Sequence, residues 1–248
     1  MAGINWFKFA SPATFYPLAG RLAPWFGWAA LILAVIGLYV TFFVAPVADF
    51  QQGQSYKVMF IHVPAAWMSM FIYIVMALWA ASDMIWRTRL SYMMAMALAP
   101  TGALFTFLAL WTGALWGKPT WGAWWVWDAR LTSELILLFL YIGFMSLSAA
   151  IEDPQRAARA CGLLALVGII NIPIIYFSVI WWNSLHQGPS IKGNEITMGQ
   201  SMGIALLIMS FSFWFYAIAA ALTRVRSIIL EQEMKSDWVA KLHAEGKL

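Results

Sequence analysis

The chain has 248 residues, of which 62% are hydrophobic and 10% charged, with a formal net charge of +4 and a mean hydropathy of +0.74. A soluble domain carries about a quarter of its residues charged, so these values exclude a water-soluble globule and describe a chain dissolved in lipid. The pI near 9.3 comes without a basic stripe of interleaved aromatics, which excludes a nucleic-acid surface and fits contact with anionic membrane lipid.

Runs of about 20 apolar residues predict six membrane-spanning helices. They lie near 24–44, 58–81, 93–115, 131–151, 161–182 and 201–222. The fold class expected is an all-α integral membrane protein, a six-transmembrane-helix bundle forming one membrane domain over 1–248. No internal repeat and no low-complexity linker interrupts it. The first run begins only after about 23 residues and is too long for the apolar core of a signal peptide, so it reads as the first span.

The second run opens on FIHVPAAW, with His62 at its mouth and Pro64 just inside. Met59, in the same stretch, is a further conceivable metal ligand. Between the third and fourth runs lies WGKPTWGAWWVWD, a loop expected over 116–130, in which five of thirteen residues are Trp116, Trp121, Trp124, Trp125 and Trp127. The fourth run starts behind Asp128, a natural N-cap, and carries Arg130 and Glu134 four residues apart. The fifth begins at Cys161, contains Pro173 and leads to His186 in WWNSLHQGPS. A single cysteine excludes an internal disulfide, a CxxC redox pair and a CxxCH haem-attachment site. The last segment, 223–248, reads as a charged cytoplasmic tail forming an amphipathic helix along the membrane surface or on a partner, with His243 an ordinary solvated side chain.

Six spans put both termini on one side. Eleven of the fifteen Lys and Arg residues fall there, and only Lys57, Lys118, Arg130 and Lys192 fall on the other. The positive-inside rule then predicts cytoplasmic termini, with loops 45–57, 116–130 and 183–200 outside. His62 and His186, 124 residues apart, are thereby delivered to the same outer face.

Each histidine alone is consistent with a carbonyl-bonded interfacial side chain, but two imidazoles on one face can hold a haem iron from both axial sides. Zinc would need three or four ligands, and the outer face offers no cysteine or carboxylate cluster to complete them. Tryptophans at headgroup level are common in membrane proteins, which accounts for Trp25, Trp67 and Trp86. Belt residues are scattered, however, whereas the loop cluster is gathered between Gly117, Pro119 and Gly122, as a shelf for a flat macrocycle would be. Glu134 falls about a turn inside the lipid boundary, where a carboxylate either pairs, here with Arg130, or marks function. Arg130 and Lys118 are also candidates for a propionate partner by charge. Pro64 and Pro173 bend the two helices that lead to the histidines and so can open room between them.

The segment WGKPTWGAWWVWDARLTSELILLFLYIGF resembles the WWD signature of the haem-handling proteins of cytochrome c maturation. FIHVPAAWMSM, NIPIIYFSVIWWNSLHQG and the six-span length are similar to the haem exporter C (CcmC) branch of that group, over about residues 45–222. The resemblance implies a bacterial inner-membrane protein that binds haem b, non-covalently and transiently, at its periplasmic face. It implies His62 and His186 as axial ligands, with Trp116, Trp121, Trp124, Trp125, Trp127 and Asp128 around the haem or the haem chaperone CcmE, which receives it. The implied partners are CcmE, the ATP-binding-cassette pair CcmA and CcmB, the small protein CcmD and membrane lipid, in c-type cytochrome biogenesis. No enzyme activity is expected: the chain has no GxxxxGK[ST] loop, so ATP hydrolysis falls to a partner. The alternatives are a proton-coupled or other small-molecule transporter subunit using Glu134, which would ordinarily show inverted repeats and polar groups at mid-membrane, and a structural anchor, which leaves the tryptophans unexplained.

Overall fold

In lipid a backbone has no water to bond, so each span must satisfy its own amides and carbonyls, and helices result. The computed structural model of the protein describes residues 10–46, 53–182, 184–186, 191–192, 195–196 and 198–246. Six helical stretches in it are long and apolar enough to cross a membrane: Pro12–Val44, Ser55–Trp86, Arg89–Trp121, Ala129–Ala150, Pro154–Trp181 and Gln200–Glu233. Lys8 and Lys247, counted on the terminal side, and parts of loops 45–57 and 183–200 lie outside the described residues.

Helix α1 (Pro12–Tyr39) starts with proline at its first position, where no amide partner is lost, and closes in a wide π turn over Val40–Val44. Two carbonyls at and just beyond its end accept from the next segment, Phe42 O from Lys57 Nζ at 3.0 Å and Pro46 O from the Tyr56 hydroxyl. After a 3₁₀ turn at Ser55–Val58 come α2 (Met59–Trp86) and α3 (Arg89–Trp121), joined by a two-residue turn in which Arg87 adopts φ +51°. These two helices pack extensively on each other, around buried Tyr73, Met76, Phe105 and Ala109. Helix α4 (Ala129–Ala150) is capped by Asp128, whose Oδ1 accepts from Leu131 N at 2.8 Å. Helices α5 (Pro154–Gly168) and α6 (Asn171–Trp181) form one span broken at Ile169–Ile170, three residues before Pro173. A two-residue antiparallel pairing of β1 (Ile191–Lys192) with β2 (Glu195–Ile196) precedes α7 (Gln200–Glu233) and the short α8 (Asp237–Ala244).

Helix α1 packs almost wholly on α7. Small residues allow the approach: the Arg226 guanidinium lies against Gly20 and the Met209 side chain against Gly37, while Ser212 Oγ donates to Ala30 O at 2.9 Å. The opposite face of α1, with Trp25, Trp28, Ile32 and Phe43, is exposed and suits acyl chains.

The helices run past the apolar stretches that revealed them. Polar residues beyond those stretches find partners on the protein itself, and this corrects two expectations. The region 223–233 is no surface tail but the packed end of α7: Arg224 Nη1 donates to Ala97 O at 2.7 Å and Thr101 Oγ1 at 2.9 Å, and Arg226 lies 4.4 Å over the Tyr16 ring. Helix α8 then folds back so that Trp238 meets Tyr16, ring centroids 5.9 Å apart. Likewise Trp116–Trp121 is helix, not loop, and α3 ends only at Gly122, whose φ of +76° suits a residue without a side chain.

Candidate haem site at the tryptophan end of the bundle

The site is assembled where α2 and α4 begin and α3 and α6 end. His62 stands on the first turn of α2, and its Nδ1 lies 2.9 Å from Ala109 O and 3.1 Å from Thr112 Oγ1, both on α3. Gly113 lets this contact form: a β-carbon there would stand 3.0 Å from His62 Cε1. The Trp116 indole meets the imidazole edge-on at 5.9 Å.

His186 is held differently. Its Nδ1 lies 2.9 Å from Asp128 Oδ2, and the same carboxylate oxygen accepts from Ser184 Oγ at 2.6 Å. Ser184 Oγ in turn accepts from the His186 amide at 3.2 Å. Trp121, a turn and a half beyond Trp116 on α3, meets His186 edge-on at 4.7 Å. Helix α3 therefore presents one indole to each imidazole. Arg130 lies within electrostatic reach of both imidazoles, as well as of Asp128 and Glu134.

Both imidazoles thus use Nδ1 for a hydrogen bond to the protein. Among the described residues neither Nε2 has such a partner. No group of three or more His, Cys, Asp or Glu that could hold a metal ion gathers among the described residues.

Electrostatics at His186 and Asp128 is set by competing effects. Burial lowers the His186 pKa below its ordinary 6.5, Asp128 opposes that, and the positive Arg130 adds to it. Burial pushes the Asp128 carboxyl up, but the Ser184 hydroxyl, the Leu131 amide and His186 outweigh it and leave it below the ordinary 3.8. At neutral pH the corner is therefore a neutral imidazole donating from Nδ1 to a carboxylate.

The tryptophans divide. Trp116 and Trp121 are half-buried against the histidines, while Trp124 and Trp127 are 56% and 78% exposed. Trp125 meets Trp127 edge-on at 5.3 Å, and its buried Nε1 has no hydrogen-bond partner among the described residues. Val126, Trp127, Asp128, Ser184 and Leu185 line an open depression of about 270 Å³ beside His186. Met59 is buried among Tyr56, Phe60 and Leu206 as core.

Two sequence expectations change here. Asp128 faces His186 as well as capping α4, a link hidden by a separation of 58 residues. Glu134 makes no ion pair with Arg130 among the described residues; it is buried, and Ser69 Oγ donates to its Oε1 at 2.7 Å. Thr112, Ala109 and Ser184 were not singled out in the sequence. Threonine at Thr112, four residues before Trp116, is the one signal that bears on them, since it places a hydroxyl on the same helical face.

A family profile described as "Heme exporter protein C" matches residues 5–240. A heme exporter protein C of Bradyrhizobium diazoefficiens is 48% identical over 92% of this chain and 86% of its own. That of Escherichia coli K12 is 44% identical over 95% of each. A ccmC-like mitochondrial protein of Marchantia polymorpha, named for cytochrome c biosynthesis, is 43% identical over 80% of this chain and 84% of its own.

Proposed function

The chain belongs to the heme exporter protein C (CcmC) family, and from that premise we propose that it grips haem b between His62 and His186 and passes it to a haem chaperone for cytochrome c maturation. Haem handling in cytochrome c biogenesis is the broad role the family carries. The observation that supports the specific reading is the pair of imidazoles with Nδ1 engaged and Nε2 open, each flanked by an indole from α3. Iron in a porphyrin takes two axial nitrogens, and flat apolar porphyrin packs well on indole.

The rest of the site suits a carboxylate-bearing macrocycle. Arg130 is a cation within electrostatic reach of both histidines, and the unpartnered Trp125 Nε1 is a buried donor that an incoming acceptor would satisfy. Release is built in as well: both ligands in this reading are imidazoles, no cysteine thiolate stands near, and Trp124 and Trp127 face outward where an accepting protein of CcmE type can meet them. In this reading the tryptophan end faces the periplasm across the bacterial inner membrane, the termini face the cytoplasm as the cation distribution favours, and CcmA, CcmB and CcmD complete the assembly. The non-enzymatic role leaves any ATP hydrolysis to those partners.

The test is the absorption spectrum of the purified chain. The parent is expected to show the Soret and split visible bands of six-coordinate low-spin haem. His62→Ala and His186→Ala should each lower haem content and shift the spectrum; unchanged spectra in both would refute axial ligation. Uptake of a small molecule into vesicles holding this chain alone, abolished by Glu134→Gln, would favour a transporter instead.

A further inference from the structure

Glu134 is buried in the bundle, bonded to a serine of another helix, and its surroundings assign it a task. Helices α2 and α4 scarcely approach one another along their backbones. Two side chains of α4 reach across instead. Ser69 Oγ on α2 lies 2.7 Å from Glu134 Oε1, and the Tyr141 hydroxyl donates to Ser69 O at 2.7 Å. The Tyr141 ring is itself pinned, lying against Gly102 of α3 where a β-carbon would not fit and edge-on to Tyr73 at 5.1 Å.

Position along the helices gives the bridge its meaning. Ser69 is seven residues below His62 on α2, and Glu134 is six below Asp128 on α4, so the crosslink lies about 9–10.5 Å beneath both histidine supports at 1.5 Å per residue. Helix α4 is also tied to the other arm: Asn171 Nδ2, at the start of α6, donates to Ser133 O at 2.9 Å. One histidine thus rides on α2, the other is fixed through Asp128 to the first turn of α4, and a buried carboxyl one residue from the α6 tie joins the two.

We propose that Glu134 is a positioning residue: by accepting the Ser69 hydroxyl it holds α2 against α4 and so sets the separation between the imidazoles of His62 and His186. The functional side of this rests on the ligation reading above. A bis-histidine site needs the gap held to about half an ångström, a demand that loops alone meet poorly.

The mechanical part is tested without haem. Spin labels at Gln54→Cys and Leu185→Cys, both exposed, report the gap between the two corners, while native Cys161 is fully buried and stays unlabelled. Glu134→Ala is expected to widen the distance distribution roughly twofold, and Glu134→Gln, whose amide oxygen still accepts from Ser69, to leave it narrow. Ser69→Ala removes the donor while keeping the carboxyl volume, so it gives the same widening and serves where Glu134→Ala folds poorly. A distribution as narrow in both alanine variants as in the parent overturns the proposal.

With haem bound, Glu134→Ala should convert part of the low-spin spectrum to high-spin and admit carbon monoxide to the ferrous iron, with Glu134→Gln restoring the parent signature. A low-spin, carbon monoxide-resistant Glu134→Ala protein would overturn the functional part. His62→Ala and His186→Ala in the same series keep the two failures apart: if neither alters the spectrum, ligation has failed, while the label distances still decide the role of Glu134.

Discussion

The two histidine corners are chemically unlike. His62 sits in a continuous helix and gives its Nδ1 to a main-chain carbonyl and a threonine hydroxyl, all neutral groups. His186 sits beyond the end of α6, in non-helical chain, and gives its Nδ1 to a carboxylate that also caps a helix. Local rigidity supports the first; a charge-assisted bond substitutes for it in the second. A carboxylate behind an imidazole also makes its free nitrogen more basic, so the corner with less secondary structure carries the stronger donor toward a metal.

The sharpest way to break this contrast is Asp128→Ala. It removes the α4 cap and the support of His186 together, worth about 1 kcal/mol and about 1.5–3 kcal/mol respectively. Thermal unfolding in detergent should register the combined loss, and haem retained through purification should fall with it. Asp128→Asn keeps a capping oxygen and is expected to recover most of the stability while leaving His186 the weaker donor.

Acidification should separate the corners next. The pKa of His186 is held below 6.5 in the fold, so the unfolded chain takes up the proton first, and stability is full above about pH 6.5 and falls below it. Asp128 is held below 3.8, and its contribution, present above that value, is lost as pH drops further toward its folded pKa. Both limbs slope the same way. In the haem-free protein, His186→Gln should flatten the first limb of the unfolding midpoint between about pH 7 and pH 5 and leave the second in place.

On the His62 side, Thr112→Val removes one of two neutral acceptors and is expected to cost about 1 kcal/mol, with no new pH dependence. The smallest effect is expected from Trp124→Ala: a side chain this exposed should change stability by about 0.5 kcal/mol or less, yet slow haem transfer to an accepting chaperone if the outer indoles receive it. Stopped-flow transfer set beside unfolding midpoints separates the two roles.

The sequence made the six spans legible because each is a long apolar run, and topology alone brought His62 and His186 to one end. It also announced the tryptophans by their density. Helix ends were hidden where charge or proline implied a boundary. Arg224 and Arg226 read as the start of a charged surface tail, yet they turn inward to Ala97, Thr101 and the Tyr16 ring. Gly117 and Pro119 read as loop, yet the helix runs on to Trp121 while Thr120 Oγ1 donates back to Trp116 O at 2.7 Å. The Asp128 partnership was hidden for a different reason: Asp128 followed by a span is fully explained as a cap, and nothing local signals that its second oxygen has another use. Glu134 offered Arg130 four residues along its own helix, and the partner it takes is 65 residues away on α2.

The two oxygens of Asp128 have different clients, a helix amide at Oδ1 and an imidazole at Oδ2. Anything that draws His186 aside leaves Oδ2 with only the Ser184 hydroxyl and slackens the start of α4. If His186 holds the ligand as proposed, departure of that ligand is then felt one turn into the membrane as fraying of that helix, and amide exchange at Leu131 becomes a gauge of whether the protein is loaded or spent.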